Sequence, residues 1–426
     1  MAKNTSISLR DKTIYQVFPR QFSKTHDLKG VTEKLDLIKK LNVDYLYLLP
    51  IHPIGKVNRK GTYGSPYSIT NYYEINPDLG DLEDFKTLVK EAHQRGLGVI
   101  MDIVFNHTAH DAVYTKTHPE WYYRKADGSF TNRVGDWWDI IDLKFEGNPD
   151  LETELINVLL FWTKLGVDGI RADVASLVPL DFWKKARAEI EKINPNFIFL
   201  AESVHLHFIK YLRDLGYEAY SDSQVYQVFD ICYDYDIFDE FINYFKNDEP
   251  LQKWVDSLIR QEAIYPKNYI KLRFLENHDQ ERIGKYLKTE SQFRNLNTLL
   301  FFLKGTQMIY NGQECGATKR PDLFELDEID WSTYNKAGLV ELICKMNKLK
   351  KSLHYLNGVM NIEVLNADCL LFRYDLADKT VIGIFNLSSE EREIDLKYAG
   401  IDYLSEKTIK KGLQKIVEPL VLILEK

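Results

Sequence analysis

The sequence predicts an α/β fold: a (β/α)8 TIM barrel with a short inserted subdomain after strand 3 and a small C-terminal all-β domain. Three observations predict it. Apolar strand-like runs alternate with helical patterns through most of the chain, which marks repeated βαβ units and a parallel sheet. Between Thr108 and about Gly147 turn residues and aromatics break that alternation once. From about Tyr355 the texture changes to short β-type runs. The expected division is residues 1–107 and 148–354 for the barrel, 108–147 for the insert and 355–426 for the terminal domain.

Taken in order, residues 13–19 read as a first strand, stopped by a proline that cannot join a ladder. Val31, Leu35, Ile38 and Leu41 recur at helical spacing, so residues 28–41 form one helix, with Asn42 in the left-handed position that ends it. Residues 43–49 are a continuous apolar run, typical of a parallel strand covered on both faces. After a loop rich in glycine and tyrosine (55–80), Asp81 caps a helix with Phe85, Leu88, Val89 and Ala92 on one face, ended by Gly96. Residues 98–105 form the third strand.

Beyond the insert, Asn148 as N-cap and Pro149 in the first turn start a helix that Gly166 ends. The fourth strand follows and ends in Arg171-Ala172-Asp173. Next come a helix (181–193), a fifth strand (197–201), a helix (208–215) and a short sixth strand (218–221). A mainly helical, tyrosine-rich stretch runs to about Pro266. A seventh strand (269–275), a helix (293–303), an eighth strand (306–310) and a helix (339–353) close the barrel. Residues 368–374 and 380–385 flank a short turn and read as a hairpin of the terminal domain.

Composition narrows the function classes. The chain has 426 residues, 45% hydrophobic and 28% charged, ordinary for a globular protein with a large core. A net charge of −8 argues against a nucleic-acid groove and against an anionic membrane surface. No apolar run approaches the ~18 residues of a transmembrane helix. The polar N-terminus lacks the apolar core of a signal peptide, and Cys232, Cys315, Cys344 and Cys369 show no metal spacing and no CxxC. A cytoplasmic protein with reduced thiols is expected. The 26 Tyr, 22 Phe and 7 Trp suit stacking on flat, apolar sugar faces. The sequence carries no signal of an oligomeric state.

In such barrels the C-terminal ends of the strands form the active face. Arg171 and Asp173, two residues apart in a strand, project the same way, and the guanidinium keeps the carboxylate ionised, as a carboxylate nucleophile requires. A buried ion pair is the alternative reading. Strand three ends Asp102-Ile103-Val104-Phe105-Asn106-His107, strand five Leu200-Ala201-Glu202, and strand seven Glu276-Asn277-His278-Asp279. Singly, Asp102 reads as a hydrogen-bonding support, His107 as a core or loop histidine, Glu202 as a loop carboxylate and Asp279 as a helix cap. Together they bring like charges to one face, which costs energy unless the site uses them.

These segments, in order and spacing over roughly residues 13–385, resemble the four sequence regions of the α-amylase superfamily of retaining glycoside hydrolases (glycoside hydrolase family 13). The insert resembles the family's domain B and the terminal β region its domain C. The resemblance implies Asp173 as nucleophile, Glu202 as general acid/base, and Asp279 as the carboxylate that binds hydroxyls and stabilises the transition state. It implies substrate-binding roles for His107, His278 and Tyr67, with Tyr67 stacked on the cleaved sugar. It adds to that set Arg171, which orients Asp173, and the supporting Asp102. Such cleavage needs one ionised and one protonated carboxyl about 5–5.5 Å apart. The apolar residues 197–200 leading into Glu202 favour the protonated form there.

The function implied is cleavage of α-glucosidic bonds in maltodextrin-like oligo- or polysaccharides through a covalent glycosyl-aspartate. A transglycosylase or isomerase of the same family is one alternative, and a non-catalytic sugar-binding or scaffold member is another. A metal-dependent barrel hydrolase using His107, His110 and His278 is disfavoured, because no strand supplies a His-x-His pair. No cofactor is implied as required. Asn106 matches a calcium ligand of the family. Many starch-cleaving members carry a Lys-His pair shortly after the nucleophile, whose histidine backbone helps bind calcium. Here those positions are Ala175-Ser176-Leu177, so half of that site is missing. The other reading of Asn106 is a hydrogen-bonding support of strand three.

Overall fold

The computed structural model describes residues 5–426. Eight strands close into an all-parallel barrel in simple sequence order: β1 (Thr13–Val17), β2 (Tyr45–Leu48), β3 (Gly98–Ile103), β4 (Gly169–Ala172), β5 (Ile198–Ala201), β6 (Ile231–Tyr233), β7 (Lys271–Arg273) and β8 (Thr306–Tyr310). Register runs in step, with Asp102 opposite Arg171 and Arg171 opposite Leu200, so the strand ends of β3, β4 and β5 rise to one level. The barrel strands are buried almost throughout, which explains why most of them read as unbroken apolar runs.

The expected sixth strand at residues 218–221 is not one. The polypeptide there enters a short helix, Asp222–Val225, and the sixth barrel strand is Ile231–Tyr233, inside the stretch read as helical. Its three residues are bounded by Asp230 and Asp234, both buried. Asp234 pairs with Arg273 of β7 at 2.7 Å, and Asp230 accepts from the Phe199 amide of β5 at 3.0 Å. Arg273 for Asp234, and Arg187 of the helix Leu180–Glu191 at 3.0 Å for Asp230, therefore neutralise charges that mark a loop in the sequence alone. The helix expected over 28–41 is two, Leu28–Glu33 and Leu35–Lys40, divided at Lys34 (φ −98°, ψ 5°). Asn42 takes the expected positive φ of 58°. Asp81 caps the helix Leu82–Gln94 through a capping box. Asn148 stands at the N-cap of Pro149–Lys164, but its amide turns back to the Lys144 carbonyl at 2.8 Å instead of capping the helix.

Between β3 and that helix, His107–Ala109 pairs antiparallel with Ile140–Asp142, a ribbon that overhangs the mouth of the barrel. At the C-terminus β9 (Val359–Val364), β10 (Cys369–Asp375), β11 (Lys379–Asn386) and β12 (Leu420–Glu425) form an antiparallel sheet. It includes the expected hairpin, which turns between Asp375 and Lys379. Among the described residues no helix is long and apolar enough to cross a membrane.

Candidate active site

The strand ends meet on the guanidinium of Arg171, which is fully buried. Its Nη1 donates to Asp102 Oδ1 and to Asp173 Oδ1, both at 2.9 Å, and its Nη2 lies 3.1 Å from Glu202 Oε2. One cation thus gathers carboxyls from β3, the end of β4 and the end of β5. The close approach of β4 to β5 depends on Gly169, where a Cβ would stand 2.8 Å from the Ile198 carbonyl oxygen. Tyr67 and Tyr233 present their rings to the guanidinium at 5.6 and 5.3 Å.

Around this hub the expected residues divide into two groups. Tyr67, His107, Asp173, Glu202 and Asp279 line a cavity of about 280 Å³ at the C-terminal mouth of the barrel. Asp102 and Arg171 do not reach it. Each has no exposed side-chain surface, so the structure corrects their placement from substrate contact to support. Asp102 Oδ2 accepts from the Tyr47 hydroxyl at 2.6 Å and the Tyr67 hydroxyl at 3.0 Å. His278 sits behind Tyr67. Their rings stack at 5.4 Å and 17°, and the Tyr67 oxygen lies 2.6 Å from His278 Nε2. Gln16 of β1 holds His278 Nδ1 at 3.1 Å, and His278 Nε2 is 3.1 Å from Asp279 Oδ2. His107 Nε2 is 3.8 Å from Asp173 Oδ2.

Electrostatics separates these groups. Burial pushes the Asp173 carboxyl well above its usual range. Arg171 pulls it down, while Glu202 and Asp102 push it up again. Burial likewise raises Glu202, against the pull of Arg171, with Asp279 adding to the rise. Three buried carboxyls around one guanidinium titrate as a group, and the cluster retains a proton where isolated carboxylates would not. Asp279 goes the other way: burial raises it, but His278, Arg171 and Arg320 together hold it below the usual value. Burial drives His107 down to about 4, so it is neutral at physiological pH and acts by hydrogen bonding.

Several residues of the site carried no sequence signal. Val174 adopts φ 36°, ψ 46°, a left-handed conformation rare for a β-branched residue, and its amide thereby donates to Glu202 Oε2 at 2.7 Å. Lys60, from the glycine-rich loop, pairs with Asp139 at 2.7 Å and lies 4.4 Å over the Trp138 ring. Leu323 and Phe324, from the segment after β8, close the opposite wall of the cavity. Arg320 donates to the Asp279 carbonyl at 2.5 Å. A larger hollow of about 600 Å³ lies at the seam between the barrel and the C-terminal sheet, where Leu342, Leu404 and Ile416 alternate with Glu341, Asp402 and Glu418 and with the cations Arg294, Lys345, Lys407 and Lys415.

The residues around Asn106 do not fit a bound calcium. Arg133, from the insert, donates through Nη2 to Asn106 Oδ1, through Nε to Asp142 Oδ2 at 2.8 Å, and through Nη1 to the Leu177 carbonyl at 3.5 Å. The guanidinium, with its own positive charge, fills the oxygen cage that a six- to eight-coordinate calcium would need. Asn106 is therefore a hydrogen-bonding residue, tied to the insert rather than to strand three. A His-x-His pair does exist, His205-Leu206-His207, just past the end of β5 and outside the cavity.

Comparison with known proteins agrees with this geometry. The family model for the α-amylase catalytic domain matches residues 16–138 and 115–354. The crystal structure of an α-amylase from Lactobacillus plantarum superposes with a TM-score of 0.93 at 39% identity, covering 98% of this chain and 100% of that one. A noncanonic maltogenic α-amylase from Thermotoga neapolitana superposes with a TM-score of 0.86 at 30% identity, over 98% of this chain and 100% of that one. Among curated relatives, α-amylase 3 of Dictyoglomus thermophilum is 26% identical over 361 residues, covering 76% of this chain and 68% of that protein. The α-1,4-glucan:maltose-1-phosphate maltosyltransferase of Picrophilus torridus is 36% identical over 208 residues, 44% of this chain but only 32% of the transferase. The chain spans about half of the Cereibacter sphaeroides maltosyltransferases it also matches, 52% and 47% of their lengths. A closed barrel whose strand ends deliver an arginine-held set of carboxyls, matched across nearly its whole catalytic region, places the chain in the α-amylase family of enzymes acting on α-glucans.

Proposed function

We propose that the chain is a retaining hydrolase of α-glucosidic bonds in short maltodextrins. The observation that carries this reading is the Arg171 guanidinium holding Asp173 and Glu202 on its two terminal nitrogens. That arrangement suits the close carboxyl pair of a retaining enzyme better than the wider pair of an inverting one. Asp173 attacks the anomeric carbon and forms the glycosyl-aspartate while the glycosidic bond breaks. Glu202 gives its proton to the departing oxygen. As a carboxylate, Glu202 then takes a proton from water, whose oxygen attacks the same carbon, and Asp173 is released. Asp279, held ionised by His278, accepts from the sugar hydroxyls as positive charge develops on the ring. Tyr67 offers it an aromatic face, and His107 binds a hydroxyl.

Substrate length follows from the cavity. At about 280 Å³ it lies just below the range of about 300–1,000 Å³ for small-ligand sites, with Phe324 and Trp137 as aromatic walls. This favours oligosaccharides or chain ends over the middle of a polymer. The positive charge of Arg133 in the cation cage supports activity without calcium. Four unpaired cysteines support a reducing, cytoplasmic setting.

Product profiling on maltooligosaccharides, panose and pullulan tests the reading. Hydrolysis gives one new reducing end per bond broken. Longer or rearranged products without that gain would instead establish a transglycosylase or isomerase. Asp173→Asn should remove turnover while the circular dichroism spectrum stays unchanged, and near-wild-type activity in that variant would overturn the mechanism.

A further inference from the structure

Beyond the cavity, three metal-ligating side chains converge from two helices. His205 immediately precedes the helix Leu206–Asp214, three residues past Glu202, and His207 lies in its first turn. Asp239 lies in the first turn of the helix Phe238–Asn247, which follows β6. One donor atom from each falls within 4.8 Å of the others. His205 Nδ1 is buried and has no hydrogen-bond partner, yet it points at Asp239 Oδ2 from 3.5 Å. That separation exceeds a good hydrogen bond of 2.7–3.2 Å. It matches the edge of about 3.4 Å between two ligands of a tetrahedral zinc with arms of about 2.0–2.1 Å.

We propose that His205, His207 and Asp239 form a binding site for a divalent cation of the zinc class, with the fourth position open to water. The ring of His205 is already oriented, stacked on Tyr235 at 4.4 Å and 17°, so little freedom is lost at that ligand when metal binds. His207 and Asp239 are exposed and close on the ion by side-chain rotation. Two imidazoles and one carboxylate suit zinc, nickel or copper rather than calcium or magnesium, which take oxygen ligands. Both helices present their positive ends here, so the Asp239 carboxylate is needed to make the site attractive to a cation. Occupancy ties the loop that follows Glu202 to the helix that follows β6. Tyr235, under His205, accepts from Asn277 Nδ2 at 2.8 Å, which links the site to the Asn277-His278-Asp279 turn.

The test is calorimetric titration of the full chain, stripped with chelator and then freed of it, with zinc chloride and separately with calcium chloride. Zinc should bind one to one and raise the melting temperature, and calcium should produce neither effect at this site. His207→Ala and Asp239→Asn, both at exposed positions, should each weaken zinc at least about tenfold, within the range for lost metal-site residues. Cobalt(II) should show the visible absorption of a tetrahedral ion in the parent and lose it in both variants. Absence of a one-to-one zinc isotherm, or equal zinc affinity in parent and variants, would overturn the proposal.

Discussion

In the proposed mechanism Asp173 and Glu202 share one guanidinium, and, both raised by burial, they divide the cluster's proton between them, with Glu202 carrying it in the first step. Glu202 Oε2 is occupied by Arg171 and by the Val174 amide, leaving Oε1 to carry the proton. The Val174 amide also stabilises the carboxylate that Glu202 becomes in the second step. The left-handed turn that aims it costs about 1–2 kcal/mol, strain that an active site retains when geometry depends on it. Glu202→Gln should lower kcat on maltotriose by about 10²–10⁴, the usual worth of a general acid. On an aryl α-glucoside with a good leaving group the first step needs no proton, so single-turnover release of the aryl group should fall far less. Equal losses on both would remove Glu202 from the acid's role. Burial also shapes the pH profile. Activity falls with decreasing pH once Asp173 is protonated, and because its carboxyl is raised, the acid limb of kcat/KM should lie above the ordinary aspartate value of about 3.9. It falls again with increasing pH as Glu202 loses its proton, so a bell-shaped curve is expected, and a flat profile down to about pH 4 would contradict this assignment.

At the scale of elements, legibility in the sequence followed from how each charge is satisfied. The ends of β3, β4 and β5 were readable because apolar residues lead into their ionisable groups, and the two-residue spacing of Arg171 and Asp173 fixes a common face; at β7 only Phe274-Leu275 leads into Glu276, behind Lys271 and Arg273. The end of β6 was hidden. Its three residues lie between acids whose partners are distant in sequence, Arg187 for Asp230 and Arg273 of β7 for Asp234, so buried charge imitates a polar loop. Arg133 was hidden for a related reason: an arginine in an insert looks solvated, yet this one is 8% exposed and bridges Asn106, Asp142 and Leu177. Replacing it tests that reading. Arg133→Met leaves Asp142 buried and unpaired, and loss of one partner of a buried pair costs about 3–5 kcal/mol. A clearly lower melting temperature is therefore expected, together with loosening of the ribbon His107–Ala109 and reduced turnover. Exhaustive chelation of the parent protein should leave its activity on maltotriose unchanged; activity lost to chelator and restored by calcium would show that the guanidinium does not replace the ion.

Across the whole molecule, the C-terminal sheet is built into the barrel's core. Phe302, just before β8, packs against Tyr355 at 5.3 Å and Phe385 at 5.2 Å between ring centres. Its carbonyl accepts from the Tyr374 hydroxyl at 2.8 Å, and the Phe301 carbonyl accepts from Tyr355 at the same distance. Asn295 and Gln292, on the helix Glu290–Leu300, bind the Asn386 amide and the Leu387 carbonyl at 2.9 Å each. Gly383 of β11 makes this contact possible, since a Cβ there would fall 2.7 Å from the Phe302 ring. One face of the sheet, with Leu370, Phe372, Tyr374, Val381, Phe385 and Val421, joins the barrel's apolar cluster, while its other face packs a second cluster that includes Leu371, Ile382, Ile384 and Leu422. The two parts should therefore unfold together, in a single calorimetric transition whose calorimetric and van't Hoff enthalpies agree. Tyr374→Phe, which leaves the buried Phe302 carbonyl without its donor, should lower that transition by the equivalent of about 1–3 kcal/mol without splitting it. Gly383→Val forces the sheet away from Phe302 and should destabilise barrel and sheet alike, detected as loss of activity and of sheet signal at the same temperature. A separate low-temperature transition for the sheet, with activity surviving above it, would show that the terminal domain is an appendage and that the barrel stands without it.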